Sequence, residues 1–387
     1  MSTTLRLPLV FLAGATALSA AVPELFVPRT KTTQVLLRSS DFKERNYFLT
    51  PNLVRSGERE ILITIKRGTS HGWEQEADAE MIRFDTVTNR ILETRTIGHV
   101  PGRKFQLTLG TFFGDGALGM FTDFQHTGDD GRHYRNGMRV ARSTDRGATF
   151  GPWRELGLID GVEYGYPFDF IVEGHTAYML AMTFGYRPGG RWSVDALKST
   201  DHGVTWRFVR NLSAEFGGFR INESGFVRYD GGFLIATRGY DKAIRLQRTD
   251  GEFRLQQQVN LTETCPLVRD YIGWPRVFQR DGRCYLLGRN WTEPPAKKIE
   301  NRPANFPGIP DNQQVCLLRF DPATLVVDRV SVLDNEGGQM AVTDGYYAVP
   351  YWQERAGKSM FNTIIYRAIG LNHPDIVRLE FDWEEVR

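Results

Sequence analysis

Side chains able to transfer protons and to bind anions follow short apolar runs at several points of the chain. His71 comes soon after the run Glu60 to Ile65, and Arg238 directly follows the run Phe233 to Thr237. A histidine can donate or accept a proton near neutral pH. An arginine binds a carboxylate, or fixes sugar hydroxyls, through its paired N–H donors. This combination of residue types indicates a site that binds an anionic or hydroxyl-rich ligand and transfers protons.

The apolar runs that precede these residues have the length and the flanking residues of β-strands. Gly, Asp and Asn separate them, and none shows helical periodicity. The composition agrees, because 39 of the 387 residues are glycine and 12% are aromatic, a mixture that does not suit a helical bundle. The sequence therefore predicts an all-β protein, and four runs are its clearest strands: Glu60 to Ile65, Ala177 to Met182, Phe233 to Thr237 and Cys284 to Gly288.

An eight-residue motif of the form S-T-D-x-G-x-T-aromatic occurs twice, 56 residues apart. The copies run from Ser143 to Phe150 and from Ser199 to Trp206. Its aspartate can accept hydrogen bonds from turn amides, its glycine permits positive φ, and its final ring can pack beneath the hairpin. We interpret the motif as a structural turn rather than as a catalytic site.

Weaker copies of this motif extend the repeat along the chain. A period of about 50 to 70 residues is typical of propellers and solenoids, and about 366 residues after the N-terminal segment accommodate about six units. Four short strands in each unit predict a six-bladed β-propeller of four-stranded antiparallel blades. The equivalent aspartates are spaced by 60, 56, 49 and 71 residues: Asp85, Asp145, Asp201, Asp250 and Asp321.

The repeat predicts a single propeller domain over residues 22–387. The segment Thr32 to Ser39 precedes the first unit, and we expect it to add a strand beside Ile376 to Asp382. Such pairing would close the ring and remove an exposed edge. A proline-rich stretch near residues 291–312 is unsuited to a central strand and predicts a long inserted loop.

Residues 1–21 have the pattern of a signal peptide. Arg6 precedes an apolar run from Leu7 to Ala20, and Ser19-Ala20-Ala21 forms a small-x-small cleavage pattern. The run is shorter than the ~20 residues that a spanning helix needs. The sequence predicts a secreted or periplasmic protein with no membrane span in its mature form.

Charge and cysteine content exclude several partners. The 48 Lys and Arg residues against 46 Asp and Glu give a net charge of +2, which argues against nucleic acid as a partner. Three cysteines form no dense disulfide framework, and their odd number leaves at least one thiol free. Spacings such as C-x-x-C and H-E-x-x-H do not occur in the sequence. We therefore expect no metal site and no cofactor.

Propeller geometry gathers the candidate residues on one face of the disc. Adjacent strands of a blade are antiparallel, so the start of each inner strand lies beside the end of the strand that follows it. These positions carry cations, carboxylates and rings, which predicts a carbohydrate pocket. The expected substrate-binding residues are Arg67, Asp123, His126, Tyr166, Trp274, Asn290 and Gln339.

The repeated motif resembles the aspartate boxes of the sialidase superfamily, whose six-bladed propellers carry them between the third and fourth strands of several blades. The resemblance covers most of the chain after residue 21. Aspartate boxes also occur in lyases, in other glycosidases and in propellers without enzymatic activity. The resemblance therefore implies the sialidase-like fold more strongly than any one reaction.

The catalytic pattern of that family matches this chain in part. A glutamate before the fourth inner strand and an arginine ending the next strand correspond to Glu223 and Arg238. The family's first substrate-binding arginine corresponds to Leu49, which cannot bind a carboxylate. The family's tyrosine nucleophile is expected within residues 336–340, which contain no tyrosine. These departures imply a substrate other than sialic acid.

The family's catalytic aspartate corresponds to the loop around His71, with Asp78 as a nearby acid. The resemblance thus implies that His71 or Asp78 protonates the leaving oxygen and that Glu223 acts as a base or orients one. Arg238, together with Arg67, would hold a carboxylate or hydroxyl groups. The same residues also allow structural roles, because Glu223 and Arg238 can form an ion pair and Asp78 can cap a turn.

Three functions follow from these features. The first is a secreted exo-glycosidase that removes a terminal sugar from a glycan. The second is a polysaccharide lyase, in which His71 or His126 would abstract a proton beside a uronate and an arginine would neutralise the carboxylate. The third is a propeller that binds a glycan or a protein without catalysis. Each of the first two has a glycan or oligosaccharide as its substrate.

Overall fold

Strands form nearly all of the regular structure, and they are arranged in six sheets. The computed structural model describes residues 22–72, 74–183, 193–293, 312–336, 345–368 and 373–387. The first strand of each blade contacts the first strand of the next, and the sixth returns to the first. The predicted six-bladed propeller of antiparallel four-stranded blades is confirmed.

The first three blades follow one another along the chain, each with its strands in sequence order. Blade 1 contains β3 (Tyr47–Arg55), β4 (Glu60–Gly68), β5 (Asp78–Asp85) and β6 (Arg90–Gly98). Blade 2 contains β7 (Lys104–Phe112), β8 (Leu118–Thr127), β9 (His133–Ser143) and β10 (Arg154–Glu155). Blade 3 contains β11 (Pro167–Glu173), β12 (Thr176–Met182), β13 (Val194–Ser199) and β14 (Arg207–Asn211).

The remaining blades complete the ring. Blade 4 contains β15 (Ile221–Tyr229), β16 (Gly232–Gly239), β17 (Ile244–Thr249) and β18 (Leu255–Asn260). Blade 5 contains β19 (Gly273–Arg280), β20 (Arg283–Asn290), β21 (Gln314–Phe320), β22 (Val327–Asp334) and, as a parallel fifth strand, β1 (Glu24–Phe26). Blade 6 contains β23 (Ala348–Arg355), β24 (Lys358–Arg367), β25 (Asp375–Asp382) and β2 (Thr32–Leu37).

The helical segments are short. One 3-10 turn spans Ser39–Asp41, and three single-turn helices are α1 (Leu212–Glu215), α2 (Leu261–Thr264) and α3 (Trp383–Val386). In the part of the chain that the structure describes, no helix is long and apolar enough to cross a membrane. The predicted signal peptide and residues 294–311 of the predicted proline-rich loop lie outside the described residues.

Closure of the ring joins the two ends of the propeller. Strand β2 pairs antiparallel with β25, with Thr33 opposite Leu379 and Val35 opposite Val377. This confirms the predicted pairing of the segment before blade 1 with the last blade. Beyond the strand, the amide of Ser39 donates to Asp375 Oδ1 at 2.7 Å and continues the junction.

The five repeated aspartates each accept hydrogen bonds from the turn after a third strand. In the best-formed box, Asp145 accepts from the amide of Thr149 at 2.8 Å and from its hydroxyl at 2.6 Å. These bonds lower the pKa of Asp145. Asp201 makes the same two contacts with Thr205, at 2.9 and 2.6 Å. The aspartates of blades 1, 4 and 5 likewise accept from turn amides, which confirms the structural interpretation of the motif.

The last ring of each aspartate box packs between two blades. Trp206 lies against Phe113 and Phe121 of blade 2 and Phe170 of blade 3, with ring centroids 6.1 to 6.5 Å apart. Phe150 packs in the same way on the cluster that joins blades 1 and 2. The boxes therefore hold neighbouring blades together.

All three cysteines are buried and free, and they lie in or beside blade 5. Burial raises the pKa of the Cys284 thiol to about 11 and that of the Cys316 thiol to about 12. These side chains behave as small apolar core residues that stay protonated.

Candidate functional site

A cavity of about 300 Å³ opens where the inner strands begin, at one end of the central channel. All six blades contribute to its wall. Its lining combines three arginines, one glutamate, one histidine and several rings: Thr50, His71, Gln106, Leu107, Arg135, Tyr166, Phe168, Asn222, Glu223, Arg238, Tyr240, Tyr271, Trp274, Arg289 and Tyr347.

β-Bulges near the start of five inner strands supply much of this lining. The pairing register shifts at the beginning of β3, β7, β11, β15 and β19. A bulge places two residues opposite one and re-aims the extra side chain. Each of the five contributes a lining residue within its shift: Thr50, Gln106, Phe168, Glu223 and Trp274. The sixth blade instead contributes Tyr347, directly before β23.

Glu223 and Tyr347 form a hydrogen-bonded pair inside the cavity. The phenol of Tyr347 donates to Glu223 Oε1. Arg238 Nη1 donates to Glu223 Oε2 at 2.6 Å and to the Tyr347 oxygen at 3.2 Å. The amide of Trp274 adds a bond to Glu223 Oε2 at 2.9 Å. Both oxygens of the glutamate are thereby held, and Oε1 accepts the hydrogen bond of the phenol.

The charges around Glu223 keep it ionised. Burial acts to raise the pKa of this carboxyl, but the charge of Arg238, the Tyr347 phenol and the charge of Arg289 together hold the pKa below its usual value. Arg238 in turn has its pKa raised well above normal: burial acts to lower it, but Glu223 outweighs that effect. A carboxylate beside a phenol can accept the phenolic proton, as a general base does.

Aromatic rings support the arginines of blades 4 and 5. The guanidinium of Arg238 lies 3.7 Å from the ring centre of Tyr271. Arg289 Nη2 donates to the Tyr271 hydroxyl at 3.0 Å, and its guanidinium lies 4.8 Å from the ring of Tyr347. Trp274 stacks on Tyr347 with centroids 5.5 Å apart. Planar stacking of this kind fixes the direction of both guanidinium groups.

Arg135 brings a third guanidinium to the cavity from blade 2. Its Nη1 donates to the fully buried Asp123 at 3.0 Å, and it lies 4.8 Å from the ring of Tyr166. Burial raises the pKa of Asp123 to about 6, against the lowering effect of Arg135. The Tyr166 hydroxyl accepts from Gln125 at 3.0 Å, which fixes the ring beneath the guanidinium.

Two buried lysines hold the loop that carries His71. Lys66 Nζ donates to the carbonyl of His71 at 2.7 Å and pairs with Glu74 Oε1 at 2.5 Å. Lys104 Nζ donates to the carbonyl of Gly72 at 2.8 Å, and burial lowers the pKa of this lysine to about 8. Gln106 adds a bond to the His71 carbonyl at 3.0 Å. The loop is thus anchored through its backbone, which leaves the imidazole in the cavity wall.

Arg276 does not line the cavity, but it contacts the lining residues Phe168 and Trp274 and links three blades. It donates to Asn52 of blade 1 and, at 3.1 Å, to the carbonyl of Phe168 in blade 3. Asp169 lies 3.8 Å away as its counter-charge. Burial lowers the pKa of this arginine to about 10. Hydrogen bonds and a counter-charge therefore fix Arg276 against the residues that line the cavity.

The structure brings five of the predicted site residues together in the cavity wall: His71, Glu223, Arg238, Tyr166 and Trp274. Five others lie outside it: Asp78, Arg67, Asp123, His126 and Asn290. The predicted residue Gln339 lies outside the described residues.

Asp78 belongs to a separate cluster on blade 1. It accepts from Arg45 Nη1 at 2.6 Å and contacts His99 Nδ1 at 2.8 Å. Among the described residues, Glu76, Asp78 and His99 place potential metal ligands within 4.8 Å of one another. Arg45 bonds both carboxylates, so its guanidinium already supplies the positive charge there. Strand β5 starts at Asp78, and its pairing directs this residue away from the cavity.

Three further predicted residues are engaged by their own blades. Arg67 Nε donates to the carbonyl of Arg45 at 3.0 Å. His126 stacks on Tyr134 with centroids 5.0 Å apart. Asn290 is fully buried and donates to the carbonyl of Leu267 at 2.9 Å. The alternation of side chains along a strand places every second strand-end residue away from the channel.

Tyr347 corrects the expectation that no tyrosine begins the sixth inner strand. That strand is β23, which starts at Ala348 and not within residues 336–340. The continuous apolar run from Tyr346 to Tyr351 carried the signal for it. Arg289 could have been selected because it ends its second strand as Arg238 does. Arg135 lies in a third strand, and no motif in the sequence indicates it.

Solved structures share this fold at low sequence identity. A protein of unknown function from Dyadobacter fermentans superposes with a TM-score of 0.70 at 13% identity, over 93% of this chain and 99% of its own. The NanB sialidase from Streptococcus pneumoniae gives 0.61 at 11% identity, over 93% and 72%. The intramolecular trans-sialidase from Ruminococcus gnavus gives 0.55 at 11% identity, over 92% and 98%.

Sequence comparison gives no such match. No family model and no curated protein matches this chain. The structural neighbours show that the chain has a sialidase-like six-bladed propeller fold, with a sequence that has diverged far from theirs.

Proposed function

We propose that this protein is an exo-glycosidase that removes a terminal sugar from a glycan with retention of configuration. One observation carries the proposal, the hydrogen bond from the Tyr347 phenol to Glu223 in the cavity. Tyrosine nucleophiles are an established variant of retaining glycoside hydrolysis. A carboxylate at hydrogen-bond distance is the base such a nucleophile requires.

The first step forms a bond between the Tyr347 oxygen and the anomeric carbon. The phenolic proton passes to Glu223 Oε1 as the bond to the leaving oxygen breaks, and His71 protonates that oxygen. Arg238, 3.2 Å from the phenol, stabilises negative charge on the attacking oxygen. In the second step water attacks the anomeric carbon as the bond from that carbon to the Tyr347 oxygen breaks. The water gives a proton to His71, and the Tyr347 oxygen recovers its proton from Glu223.

The cavity favours a sugar that carries an acidic group. Its wall holds Arg135, Arg238 and Arg289 against a single lining carboxylate, Glu223. Guanidinium groups bind carboxylates through paired hydrogen bonds. A volume of about 300 Å³ lies at the lower end of the range for small-molecule sites and suits one sugar ring. Leu49 is buried and stands where the family pattern has an arginine in blade 1, so the sugar would be held differently from sialic acid in that pattern.

We also propose that the protein acts outside the cytoplasm, where residues 1–21 would direct it. Glycans on cell surfaces and in the extracellular matrix would then be accessible to it. Comparison of the mature N-terminus in the culture medium with that of a Leu7→Arg variant tests this part. The export proposal predicts a chain that begins near Val22 for the parent, and retention in the cell for the variant.

A panel of 4-methylumbelliferyl glycosides tests the activity. It should contain neutral hexosides, a uronide and a sialoside. We expect fluorescence from an acidic glycoside, and a loss of at least ~10³-fold in kcat for Tyr347→Phe and for Glu223→Gln. Tyr285→Phe is a matched control, because this buried tyrosine lies outside the cavity.

Two results would contradict the proposal. Release of an unsaturated product from a uronate polysaccharide, with no hydrolysis of the panel, would assign the lyase function. Glycan binding with no turnover by the parent protein would assign the binding function.

A further inference from the structure

Two adjacent tyrosines at the entrance to blade 6 point in opposite directions. Tyr347 lines the cavity. Tyr346 is fully buried in a separate cluster between blades 5 and 6, with Leu317 and Leu333 among its neighbours. The backbone conformation of Tyr346 therefore helps to set the direction in which Tyr347 enters the cavity.

Tyr346 has an unusual backbone conformation. Tyr346 has φ of +65°, in the left-handed region that residues other than glycine rarely adopt. Placing a bulky side chain there costs about 1 to 2 kcal/mol. Such a conformation persists only where surrounding contacts over-determine it.

Three hydrogen bonds and an ion pair hold Tyr346 in this conformation. Its hydroxyl donates to Asp334 Oδ1, and its amide donates to the carbonyl of Tyr366 at 2.9 Å. Asp334 is itself held by Arg367 and by the amide of Glu336 at 3.0 Å. Burial and the neighbouring carboxylate raise the pKa of Tyr346, so the phenol remains a donor.

The same segment is tied to the cavity from the other side. Arg289 Nη1 donates to the carbonyl of Gly345 at 3.1 Å, and the Tyr347 ring contacts Tyr366 at 5.8 Å. Residues 345–347 are thus fixed between a buried anchor and a cavity arginine. A bond to Glu223 requires the Tyr347 oxygen to sit within a few tenths of an ångström of its place.

We propose that Tyr346 is a positioning residue, which uses its left-handed backbone and its bond to Asp334 to aim Tyr347 at Glu223. This rests on the proposed function, because it assigns Tyr346 a part in setting the geometry of the nucleophile. It does not touch the substrate. Its effect is on the chemical step and not on binding of the sugar.

The variant Tyr346→Phe removes the hydroxyl and keeps the ring. We expect kcat on the glycoside identified by the panel to fall about 10-fold while KM stays within about twofold, because a small misplacement of a nucleophile costs rate rather than binding. Tyr285→Phe is the matched control. Tyr285 is buried in the same cluster, and its hydroxyl has no hydrogen-bond partner among the described residues.

A purely structural role would give a different result. Tyr346→Phe would then lower the melting temperature and leave kcat within twofold of the parent, which would overturn the proposal. If this variant does not fold, Asp334→Asn replaces it. That variant keeps an acceptor oxygen near the Tyr346 hydroxyl but loses the charge that faces Arg367, and we expect kcat to fall about threefold to 10-fold. An unchanged kcat in a folded Asp334→Asn protein would likewise overturn the proposal.

A double variant separates this inference from the proposed function. In the Tyr347→Phe background, adding Tyr346→Phe should cause no further loss, because there is no nucleophile left to position. If Tyr347→Phe is as active as the parent, the proposed function fails. If Tyr347→Phe is inactive and Tyr346→Phe is fully active, the proposed function stands and only the positioning role fails.

Discussion

At the scale of single residues, buried charges behind the cavity fix the groups that face it. Asp123 does not reach the cavity, but it orients Arg135, which does. The position of Asp123 near the end of a second strand predicts that it binds the substrate. The side chain is instead fully buried, and it holds the guanidinium of Arg135 in place.

The titration of Asp123 should be visible in the stability of the protein. Its pKa of about 6 in the folded protein is above its ordinary value of 3.8, because burial disfavours the charged form. The stability it contributes is therefore present below pH 4 and is lost as the pH rises through 6. Relative to Asp123→Asn, the parent should lose up to about 3 kcal/mol in free energy of unfolding between pH 4 and 7.

Urea unfolding of both proteins at four pH values between 4 and 7 measures this difference. A difference that stays constant with pH would show that Asp123 keeps an ordinary pKa in the folded state. A difference that grows in favour of the parent would show that Arg135 outweighs burial.

At the scale of elements, the aspartate boxes were predictable and the bulges were not. A box is a local motif, and its hydrogen bonds from Thr149 to Asp145 depend on residues four positions apart. A bulge at the start of an inner strand leaves no local signature, because it depends on the strand beside it. The sequence therefore predicts the blades but not which side chains at the strand ends face the cavity. Asp78 begins β5 and Asn290 ends β20, yet both lie outside the cavity.

The start of blade 6 was also difficult to predict from the sequence. In blades 1 to 5 a repeated aspartate ends the third strand or lies in the turn directly after it, whereas the third strand of blade 6, β25, is followed by helix α3. Without that marker, the start of the sixth inner strand was placed some ten residues too early, and Tyr347 was missed. The continuous apolar run from Tyr346 to Tyr351 is a weaker signal for this strand, but it lies at the correct place.

Glycine in an aspartate box should be more sensitive to substitution than glycine in an open turn. Gly203 has φ of +72°, and a Cβ there would lie 2.2 Å from the Phe113 ring. Gly157 has φ of +78°, but a Cβ there would meet nothing within 4 Å. We expect Gly157→Ala to cost about 1 to 2 kcal/mol for the backbone alone. Gly203→Ala should cost about 1 to 3 kcal/mol more, because it also overpacks the contact between blades.

Thermal and urea unfolding of the two variants measure the costs. Equal costs would show that the contact between Gly203 and Phe113 adjusts freely and that the box does not hold the blades rigidly.

At the scale of the whole molecule, the ring depends on a strand that is distant in sequence from its partner. The prediction that the segment before blade 1 closes the last blade was correct because an unpaired edge is unfavourable wherever it lies. Strand β1 was not predicted. It adds to blade 5 on the outside, where Glu24–Phe26 pairs parallel with β22.

Removal of these two strands should have unequal effects. A chain that begins at Lys31 lacks only β1, and we expect a small fall in melting temperature. A chain that begins at Ser39 also lacks β2, which exposes the edge of β25 and loses the burial of Leu36 and Leu37. Those two leucines alone contribute on the order of 3 to 6 kcal/mol.

Size-exclusion chromatography and thermal melts compare the two truncated chains. We expect the shorter chain to melt at a much lower temperature and to aggregate through its open edge. Equal melting temperatures would mean that the ring stays closed without β2.

The central claim is that Tyr347 attacks the anomeric carbon with Glu223 as its base, and the most direct test is to identify the residue that becomes glycosylated. A glycosyl fluoride of the hydrolysed sugar, with a second fluorine beside the anomeric carbon, slows the second step and lets the intermediate accumulate. Acid quenching, proteolysis and mass spectrometry then locate the label. We predict one glycosyl group on Tyr347, and none in Tyr347→Phe. A label on Glu223, or hydrolysis without any labelled peptide, would contradict the claim.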